Sequence, residues 1–258
     1  MESVLLDVSN NVAYITLNRP EKLNAFNREM ALLLQSKLDE CSASAEVRSV
    51  YITGAGKGFS AGQDLAEVID PNGPGMEKIL SEQFNPVIRK IRTIEKPVVA
   101  AVNGVAAGAG ANIAFCCDIV VASASSSFIQ AFSKIGLIPD SGGTYFLPRL
   151  IGFQKASALM MTGEKINATD AERLGMVYKV FDDEVFSEES KKFAEALAQM
   201  PTRGLWFTKQ ALNKTFNNSF KRQLKLEDEL QQEAAATDDF KEGVKAFMEK
   251  RKAEFKGR

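Results

Sequence analysis

The stretch KPVVAAVNGVAAGAGANIAFCCDIVVAS, residues 96–123, decides the fold class. It opens with a continuous apolar run closed by Asn103 and Gly104, which is typical of a β-strand buried on both faces. A turn of glycine and alanine residues leads into an apolar helical segment, and IVVAS predicts a second buried strand. Strand, turn, helix and strand in close succession predict stacked parallel β/α units.

The segment upstream carries its own strand and helix signals. Residues 4–18, VLLDVSNNVAYITLN, alternate apolar and polar residues on both sides of Asn10 and Asn11, which predicts a β-hairpin that turns there. A strand is also predicted in VRSVYITGAG. Between them Asn27 can cap a helix. Its apolar face would comprise Met30, Leu33, Leu34, Leu38 and Cys41.

The C-terminal third is predicted to be helical. TYFLPRLIGFQKASALMM should be helical after its proline, and Thr169 and Glu172 have the spacing of a capping box. Three further helical stretches follow, and a last segment places Phe240, Val244 and Phe247 on one face. We therefore expect an α/β core with a helical tail.

Composition narrows the class of protein. Hydrophobic residues make up 45% of the 258 residues and charged residues 25%, which is ordinary for a globular protein. A formal net charge of -1 gives no field that attracts nucleic acid, so we expect no nucleic-acid partner. The three cysteines are expected to be reduced core residues, and no apolar run approaches the roughly 20 residues that span a bilayer. We expect a cytoplasmic protein that does not bind a membrane.

The sequence has no histidine. This excludes a Ser-His-Asp or Cys-His nucleophile and any zinc site built on imidazole, and no other metal site is predicted. Proton transfer would have to come from carboxylates, lysine, tyrosine or the backbone.

Two turns of small residues, FSAGQDL and AAGAGANIA, each follow a predicted strand. The second lacks the Lys-Ser/Thr of a P-loop and does not complete the dinucleotide fingerprint. Each turn alone is compatible with tight packing of a strand on a helix. If the two converge, their unpaired N–H groups would form a two-donor hole for a developing oxyanion.

Six motifs, in order along almost the whole chain, resemble the enoyl-CoA hydratase/isomerase (crotonase) superfamily. They are RPEKLNAF, FSAGQDL, the stretch 96–123, IGLIPDSGGT, AERLGMV and DDFKEGVKAFMEKR. The resemblance implies a ClpP-like spiral of ββα units over residues 1–195. It implies a helical trimerisation region over 196–258, in a homotrimer or a dimer of trimers, with a hydratase of the same family as a further possible partner. The ligand would be an acyl-CoA thioester, so coenzyme A is part of the substrate and no separate cofactor is expected.

The resemblance also implies roles for particular residues. The amides of Ala61 and Ala109 would bind the thioester oxygen, and Asp64 would hold the turn that presents Ala61. Each lysine at a substrate position could equally be a solvated surface residue. The positions that match the family's substrate and coenzyme A contacts are Lys22, Ala25, Gln63, Asp64, Leu65, Gly108, Asn112, Phe132, Phe247 and Lys250.

The sequence departs from the family's hydratases at both catalytic glutamates, where it has Asn112 and Phe132. Phe132 is expected to be a pocket wall, and Asn112 either bonds within the site or only occupies a helix position. Asp140, in IPD, stands where the family's isomerases often carry an acid. As a single base it could shift a C=C bond. The resemblance to the family's isomerases also implies rearrangement of a ring-epoxide of phenylacetyl-CoA as a possible reaction.

Two other interpretations of Asp140 and of the chain stay open. Asp140 could cap a helix that begins near Thr144, assisted by Ser141. If it is the base, apolar neighbours such as Phe132, Leu137 and Ile138 should raise its pKa. The chain could instead be a hydratase that adds water to a 2-enoyl-CoA, or a non-catalytic scaffold for an active relative.

Overall fold

The computed structural model describes residues 2–258, and these contain ten strands in two sheets. The larger sheet has the order β1-β2-β3-β5-β7-β10 and the smaller one the order β4-β6-β8-β9. The strands are β1 (Val4–Ser9), β2 (Val12–Leu17), β3 (Ser49–Gly54), β4 (Gly58–Ser60), β5 (Val98–Val102), β6 (Val105–Ala107), β7 (Ile119–Ser123), β8 (Ser127–Ile129), β9 (Lys165–Asn167) and β10 (Lys179–Phe181).

The two sheets are built together as the chain winds. The pairs β3–β4, β5–β6 and β7–β8 each place one strand in the larger sheet and the next in the smaller sheet. From β2 to β10 the strands of the larger sheet are parallel, as are β4, β6 and β8 of the smaller sheet. The result is a spiral of ββα units, which confirms the predicted fold class.

Twelve α-helices complete the described chain. A π-helical turn (Ile79–Phe84) joins two of them without a break, and 3-10 turns occupy Pro20–Lys22 and Ala131–Ile135. The helices are α1 (Arg28–Ala43), α2 (Leu65–Ile69), α3 (Gly75–Lys78), α4 (Asn85–Thr93), α5 (Ala109–Cys116), α6 (Gly143–Ile151), α7 (Phe153–Thr162), α8 (Ala168–Leu174), α9 (Asp183–Ala198), α10 (Thr202–Thr215), α11 (Phe220–Ala235) and α12 (Asp238–Met248).

The larger sheet is covered by apolar side chains on both faces. One face belongs to the main core, which also contains α1, α4 and α5. The other packs on α9 through a second cluster that includes Tyr51, Val99, Phe186 and Ala194. Every residue of β5 is buried, as its continuous apolar run predicted.

The hairpin and the first helix form as the sequence predicted. Asn10 and Asn11 both have positive φ, 51° and 62°, which matches the twist of a two-residue hairpin turn. Asn27 caps α1, because its side-chain oxygen accepts the Met30 N–H at 3.0 Å. These two local signals are confirmed.

Two helix boundaries differ from the prediction. α6 begins at Gly143 and contains Pro148, so the helix starts before the proline and not after it. It ends at Ile151, and its C-cap residue Gly152 has a φ of 77° and a ψ of 159°. The capping box at Thr169 and Glu172 is wrong. Asn167 caps α8 by accepting the Asp170 N–H at 2.8 Å, and Glu172 accepts the Val180 N–H at 2.8 Å instead.

The C-terminal helices attach to the core through a buried ion cluster. The Lys209 Nζ on α10 lies 2.7 Å from Asp118 Oδ2 and donates to the Ile91 carbonyl at 2.8 Å. Arg92 binds the other carboxylate oxygen of Asp118 at 3.0 Å. Burial lowers the pKa of Lys209, and the Asp118 carboxylate opposes that shift. This ion pair, with Lys209 buried and Asp118 half-buried, tethers α10 to the point where β7 begins.

The predicted boundary between core and helical tail, at residue 195, lies near the end of a helix. α9 contains that residue and continues to Ala198, and residues 199–201 connect it to α10. On α12, Phe240, Val244 and Phe247 share one face, as expected, and they line an apolar cavity of about 420 Å³. Phe247 is 82% exposed in the single chain.

Candidate active site

Three neighbouring parallel strands of the smaller sheet end at one edge. β4 is followed by the turn 61–64, β6 by Gly108, and β8 by Gln130 and the segment that reaches Asp140. Because β4, β6 and β8 pair in parallel register, their carboxyl ends meet at this edge. The topology therefore brings the two small-residue turns and the carboxylate of IPD into one region.

The first two turns pack directly on each other at Gly62. Its φ is +91°, and a Cβ built there would lie 2.7 Å from the Ala107 carbonyl oxygen and 3.3 Å from the Ala109 nitrogen. No side chain fits in that space, so the contact requires glycine. The Ser60 hydroxyl fixes the turn further, since it accepts the Gly62 N–H at 3.1 Å and donates to the Asn24 carbonyl at 2.8 Å.

The hydrogen bonds of the first turn correct one predicted role. The Ala61 N–H, expected to bind a thioester oxygen, donates to the Leu23 carbonyl at 2.8 Å and is not available. The Phe26 N–H donates to Gly62, and the Asp64 N–H donates back to Phe26. Between them, no acceptor in residues 2–258 takes the Gln63 N–H. The free amide of this turn is that of Gln63, two residues after the one predicted.

The second turn presents the Ala109 amide. Ala109 is the first residue of α5, so its N–H has no acceptor inside the helix, and none elsewhere in residues 2–258. The positive end of the α5 dipole lies at the same point. The Phe132 ring covers the turn, since a Cβ on Gly108 would lie 3.7 Å from its Cζ. Phe132 is buried beside this turn.

Asp140 lies in the turn that precedes α6. Its carboxylate accepts the Ser141 hydroxyl at 2.9 Å, and no side-chain bond caps α6 in the described chain. Only the main-chain oxygen of Asp140 reaches the helix, where it accepts the Gly143 N–H at 2.8 Å. The alternative that the carboxylate caps this helix is therefore wrong.

Burial raises the pKa of the Asp140 carboxyl above its usual value, and the hydrogen bond from Ser141 partly opposes the rise. Of the three apolar neighbours named from the sequence, Phe132 is buried, whereas Ile138 is 81% exposed and Leu137 is also exposed. The direction of the predicted shift is confirmed, but Ile138 cannot cause it within one chain.

Asn112 contacts the Asp140 main chain and is fully buried. Its amide nitrogen donates to the Asp140 main-chain oxygen at 2.9 Å, and its oxygen accepts the Gln130 Nε2 at 2.8 Å. Asn112 therefore bonds within the site and does not merely occupy a helix position. Gln130 was missed from the sequence, where a single glutamine after a short strand carries no distinguishing signal.

The remaining predicted contacts divide into two groups. Near the first turn, Asp64 pairs with Arg19 at 3.0 Å and caps α2 by accepting the Ala66 N–H, which gives it the structural role expected. Lys22 and Leu65 are exposed and Ala25 is buried in the same neighbourhood. Phe247 and Lys250 lie at the end of α12, and no described hydrogen bond joins them to the other site residues.

Comparison with known proteins identifies the family. The family model described as "Enoyl-CoA hydratase/isomerase" matches residues 7–258. The chain belongs to the enoyl-CoA hydratase/isomerase family. It is 44% identical to the 1,2-epoxyphenylacetyl-CoA isomerase of Escherichia coli (strain K12), over the whole of both proteins. It is 36% identical to the trans-2-decenoyl-[acyl-carrier-protein] isomerase of Streptococcus mutans, over 100% of this chain and 99% of that protein.

A solved structure of this family supports the same assignment. The enoyl-CoA hydratase from Bacillus anthracis superposes with a TM-score of 0.92 at 31% identity, over 99% of this chain and 100% of that one. The relatives of this enzyme thus include both isomerases and a hydratase. Within residues 2–258, none of the helices combines the length and the apolar character needed to cross a membrane.

Proposed function

We propose that this enzyme isomerises an acyl-CoA thioester, with Asp140 as its single acid and base. The observation that carries the proposal is the Asp140 carboxyl, which has a raised pKa and does not cap α6. Both positions of the hydratase glutamates hold buried side chains that cannot act as bases, Asn112 and Phe132. A double-bond shift requires no activated water, so one carboxylate is sufficient.

The amides of Gln63 and Ala109 are proposed as the oxyanion hole. Removing a proton beside a thioester creates an enolate, and its charge lies largely on the carbonyl oxygen. Two fixed N–H donors stabilise that charge without reorganisation at the moment of reaction. Loss of one such donor typically raises the barrier by about 3–4 kcal/mol.

The proton shuttle can be written for a 3-enoyl thioester. The Asp140 carboxylate takes a proton from C2, and the electron pair of that bond delocalises through the C3–C4 double bond and the thioester as a dienolate. The protonated Asp140 then returns the proton to C4, which leaves a C2–C3 double bond and a regenerated carboxylate. A raised pKa makes Asp140 a stronger base for the first step.

The acyl group of the substrate is proposed from the relatives. The E. coli protein named as a 1,2-epoxyphenylacetyl-CoA isomerase supports a ring-epoxide of phenylacetyl-CoA, and the buried Phe132 ring beside Gly108 offers an aromatic wall. The Streptococcus relative supports a linear unsaturated acyl chain. Both substrates would use the same oxyanion hole.

We further propose that the enzyme assembles as a homotrimer or a dimer of trimers. Phe247 and Met248 are 82% and 76% exposed on α12, and an apolar surface of this kind favours association. Phe247 and Lys250 would then contact the substrate of a neighbouring subunit. Lys22 and Lys250 are suited to the phosphates of coenzyme A as point charges. Light scattering on the purified protein gives the mass of the assembly directly.

The function is tested by incubating the enzyme with a 3-enoyl-CoA and, separately, with crotonyl-CoA. Conversion of the 3-enoyl to the 2-enoyl thioester at constant mass, lost in Asp140→Asn, is the expected result. Addition of one water to crotonyl-CoA, retained in Asp140→Asn, would refute the isomerase and indicate a hydratase. No turnover of either thioester, or of the ring-epoxide substrate, would indicate a non-catalytic scaffold.

A further inference from the structure

Two buried side-chain amides form a chain of hydrogen bonds that ends on the Asp140 turn. The Gln130 Nε2 donates to Asn112 Oδ1 at 2.8 Å, and Asn112 Nδ2 donates to the Asp140 main-chain oxygen at 2.9 Å. Asn112 is fully buried and Gln130 is 3% exposed. We propose that Asn112 and Gln130 are positioning residues that hold the Asp140 turn in its reactive place. This inference rests on the proposed role of Asp140.

The direction of each hydrogen bond is fixed by chemistry. A main-chain carbonyl can only accept, so the group of Asn112 that faces Asp140 has to be its NH2. The Asn112 oxygen must then face Gln130, and only the NH2 of Gln130 can donate to it. A carboxylate at position 112 would present an acceptor to an acceptor. An amide at position 112 therefore fits these two hydrogen bonds, whereas an ionised carboxylate does not.

The turn has few other attachments. Residues 133–138, which lead to it, are all exposed. Ser141 is held at a φ of +51°, a strained region for a residue other than glycine. The Asn112 amide packs directly against the first residue of α6, since a Cβ on Gly143 would lie 2.3 Å from Asn112 Nδ2. The amide thus supports the turn by contact as well as by hydrogen bonding.

No ion pair replaces this support. None of the cations on the elements packed around the turn hydrogen-bonds to the Asp140 carboxylate in the described chain, and α5 itself carries no charged residue. Arg92 is bound to Asp118 instead. The rise in the Asp140 pKa is therefore attributed to burial of the carboxyl, with no paired cation among residues 2–258 to oppose it. The cations on these elements are Arg89, Lys90 and Arg92 on α4, Lys134 on the 3-10 turn and Arg149 on α6.

The experiment compares Asn112→Leu and Gln130→Leu with Asn213→Leu. Asn213 is a matched control on α10, because its NH2 also donates to a main-chain carbonyl, that of Arg92 at 3.1 Å, and its oxygen accepts a side-chain N–H. Asn112→Leu should lower kcat by about tenfold to a hundredfold, the typical effect of a misplaced catalytic group, with KM within about twofold. The acidic limb of the kcat–pH profile should move to lower pH as the carboxyl becomes hydrated. Gln130→Leu should show a smaller fall in kcat and a smaller shift of the acidic limb. Asn213→Leu should show neither change.

A second measurement requires no turnover. Titration of ¹³C-labelled aspartate carboxyls by NMR, with the Asp140 signal assigned from Asp140→Asn, should show a lower Asp140 pKa in Asn112→Leu than in the wild type. If this shift occurs in an enzyme that isomerises nothing, the proposed function fails and the positioning role stands. An unchanged titration and an unchanged kcat, with only the melting temperature lowered as in Asn213→Leu, would overturn the positioning role. If Asn112→Leu does not fold, Gln130→Leu decides between these outcomes.

Discussion

The two halves of the site are built in different ways. The turns at Gln63 and Ala109 are held mainly by main-chain contacts, the hydrogen bonds to Leu23 and Phe26 and the contact at Gly62, with one added bond to the Ser60 side chain. The Asp140 turn follows an exposed segment and is held through the side chains of Asn112 and Ser141. Main-chain donors survive almost any side-chain substitution. The acid half of the site, which is the Asp140 turn, depends on individual side chains. Its chemistry can therefore change while the amide half, which is the pair of turns at Gln63 and Ala109, is retained.

The largest effect is expected from breaking the acid half alone. Asp140→Asn keeps the shape of the turn but removes the proposed base, so isomerase kcat should fall by about 10³-fold. Affinity for a saturated acyl-CoA, measured by calorimetry, should stay unchanged because the amide half is intact. A comparable loss of affinity would mean that the two halves are not independent.

Breaking the amide half should affect both binding and turnover. In Gly62→Ala the new methyl group would meet the Ala107 carbonyl oxygen at 2.7 Å, so the Gln63 and Ala109 turns must separate. Displacing one of the two proposed oxyanion donors should lower kcat by about 100-fold. The control is Gly136→Ala, which also has positive φ, +73°, but has nothing within 4 Å of the added methyl group. Similar kinetic effects of the two variants would argue against a special role for the Gly62 contact.

Asp140 should also carry a stability signature that depends on pH. Its folded-state pKa is raised, so its protonated form contributes stability that is fully present below the unfolded pKa and is lost as pH rises through the folded pKa. Asp140→Asn should therefore melt at a higher temperature than the wild type at pH 7, and the difference should disappear only below the unfolded-state pKa of about 3.9. Each kcal/mol gained in the free energy of unfolding raises the melting temperature by about 2–4 °C. Equal melting curves at pH 7 would show that the carboxyl carries no burial penalty.

The smallest effect is expected at Ser141. Its hydroxyl hydrogen bond lowers the Asp140 pKa against the effect of burial, so Ser141→Ala should move the acidic limb of the kcat–pH profile to higher pH. This is opposite to the shift expected for Asn112→Leu, and kcat at its plateau should change by less than about tenfold. Ser141→Gly is the control, because it removes the same hydroxyl and relieves the strained φ. Shifts in the same direction at Ser141 and Asn112 would contradict the account of the acid half.

The larger features of the fold could be predicted because their signals are local. The buried run of β5 and the Asn10–Asn11 turn depend on residues adjacent in sequence, and both were confirmed. The family resemblance supplied the spiral. At helix ends the local patterns were ambiguous: Asn167 and Thr169 both offer capping side chains, and only the packed structure decides that Asn167 caps α8.

The finer features of the site depend on distant partners. Which amide of FSAGQDL is free is decided by Leu23 and Phe26, about 40 residues earlier in the chain, which take up its neighbours. A motif match alone therefore gave Ala61 where the structure leaves Gln63 free. The pairing of Gln130 with Asn112 is similarly invisible in sequence, since it follows from the parallel register of β6 and β8.

The tether between Lys209 and Asp118 has a consequence for synthesis on the ribosome. Asp118 is translated about 90 residues before the lysine that completes its buried charge cluster. Until then Arg92 alone compensates the carboxylate, and the surface that will receive α10 remains open. The spiral can thus wind from its amino terminus, but it closes only when the last helices dock. A chain truncated after α9 should therefore populate a partly open, aggregation-prone state rather than a stable half-protein.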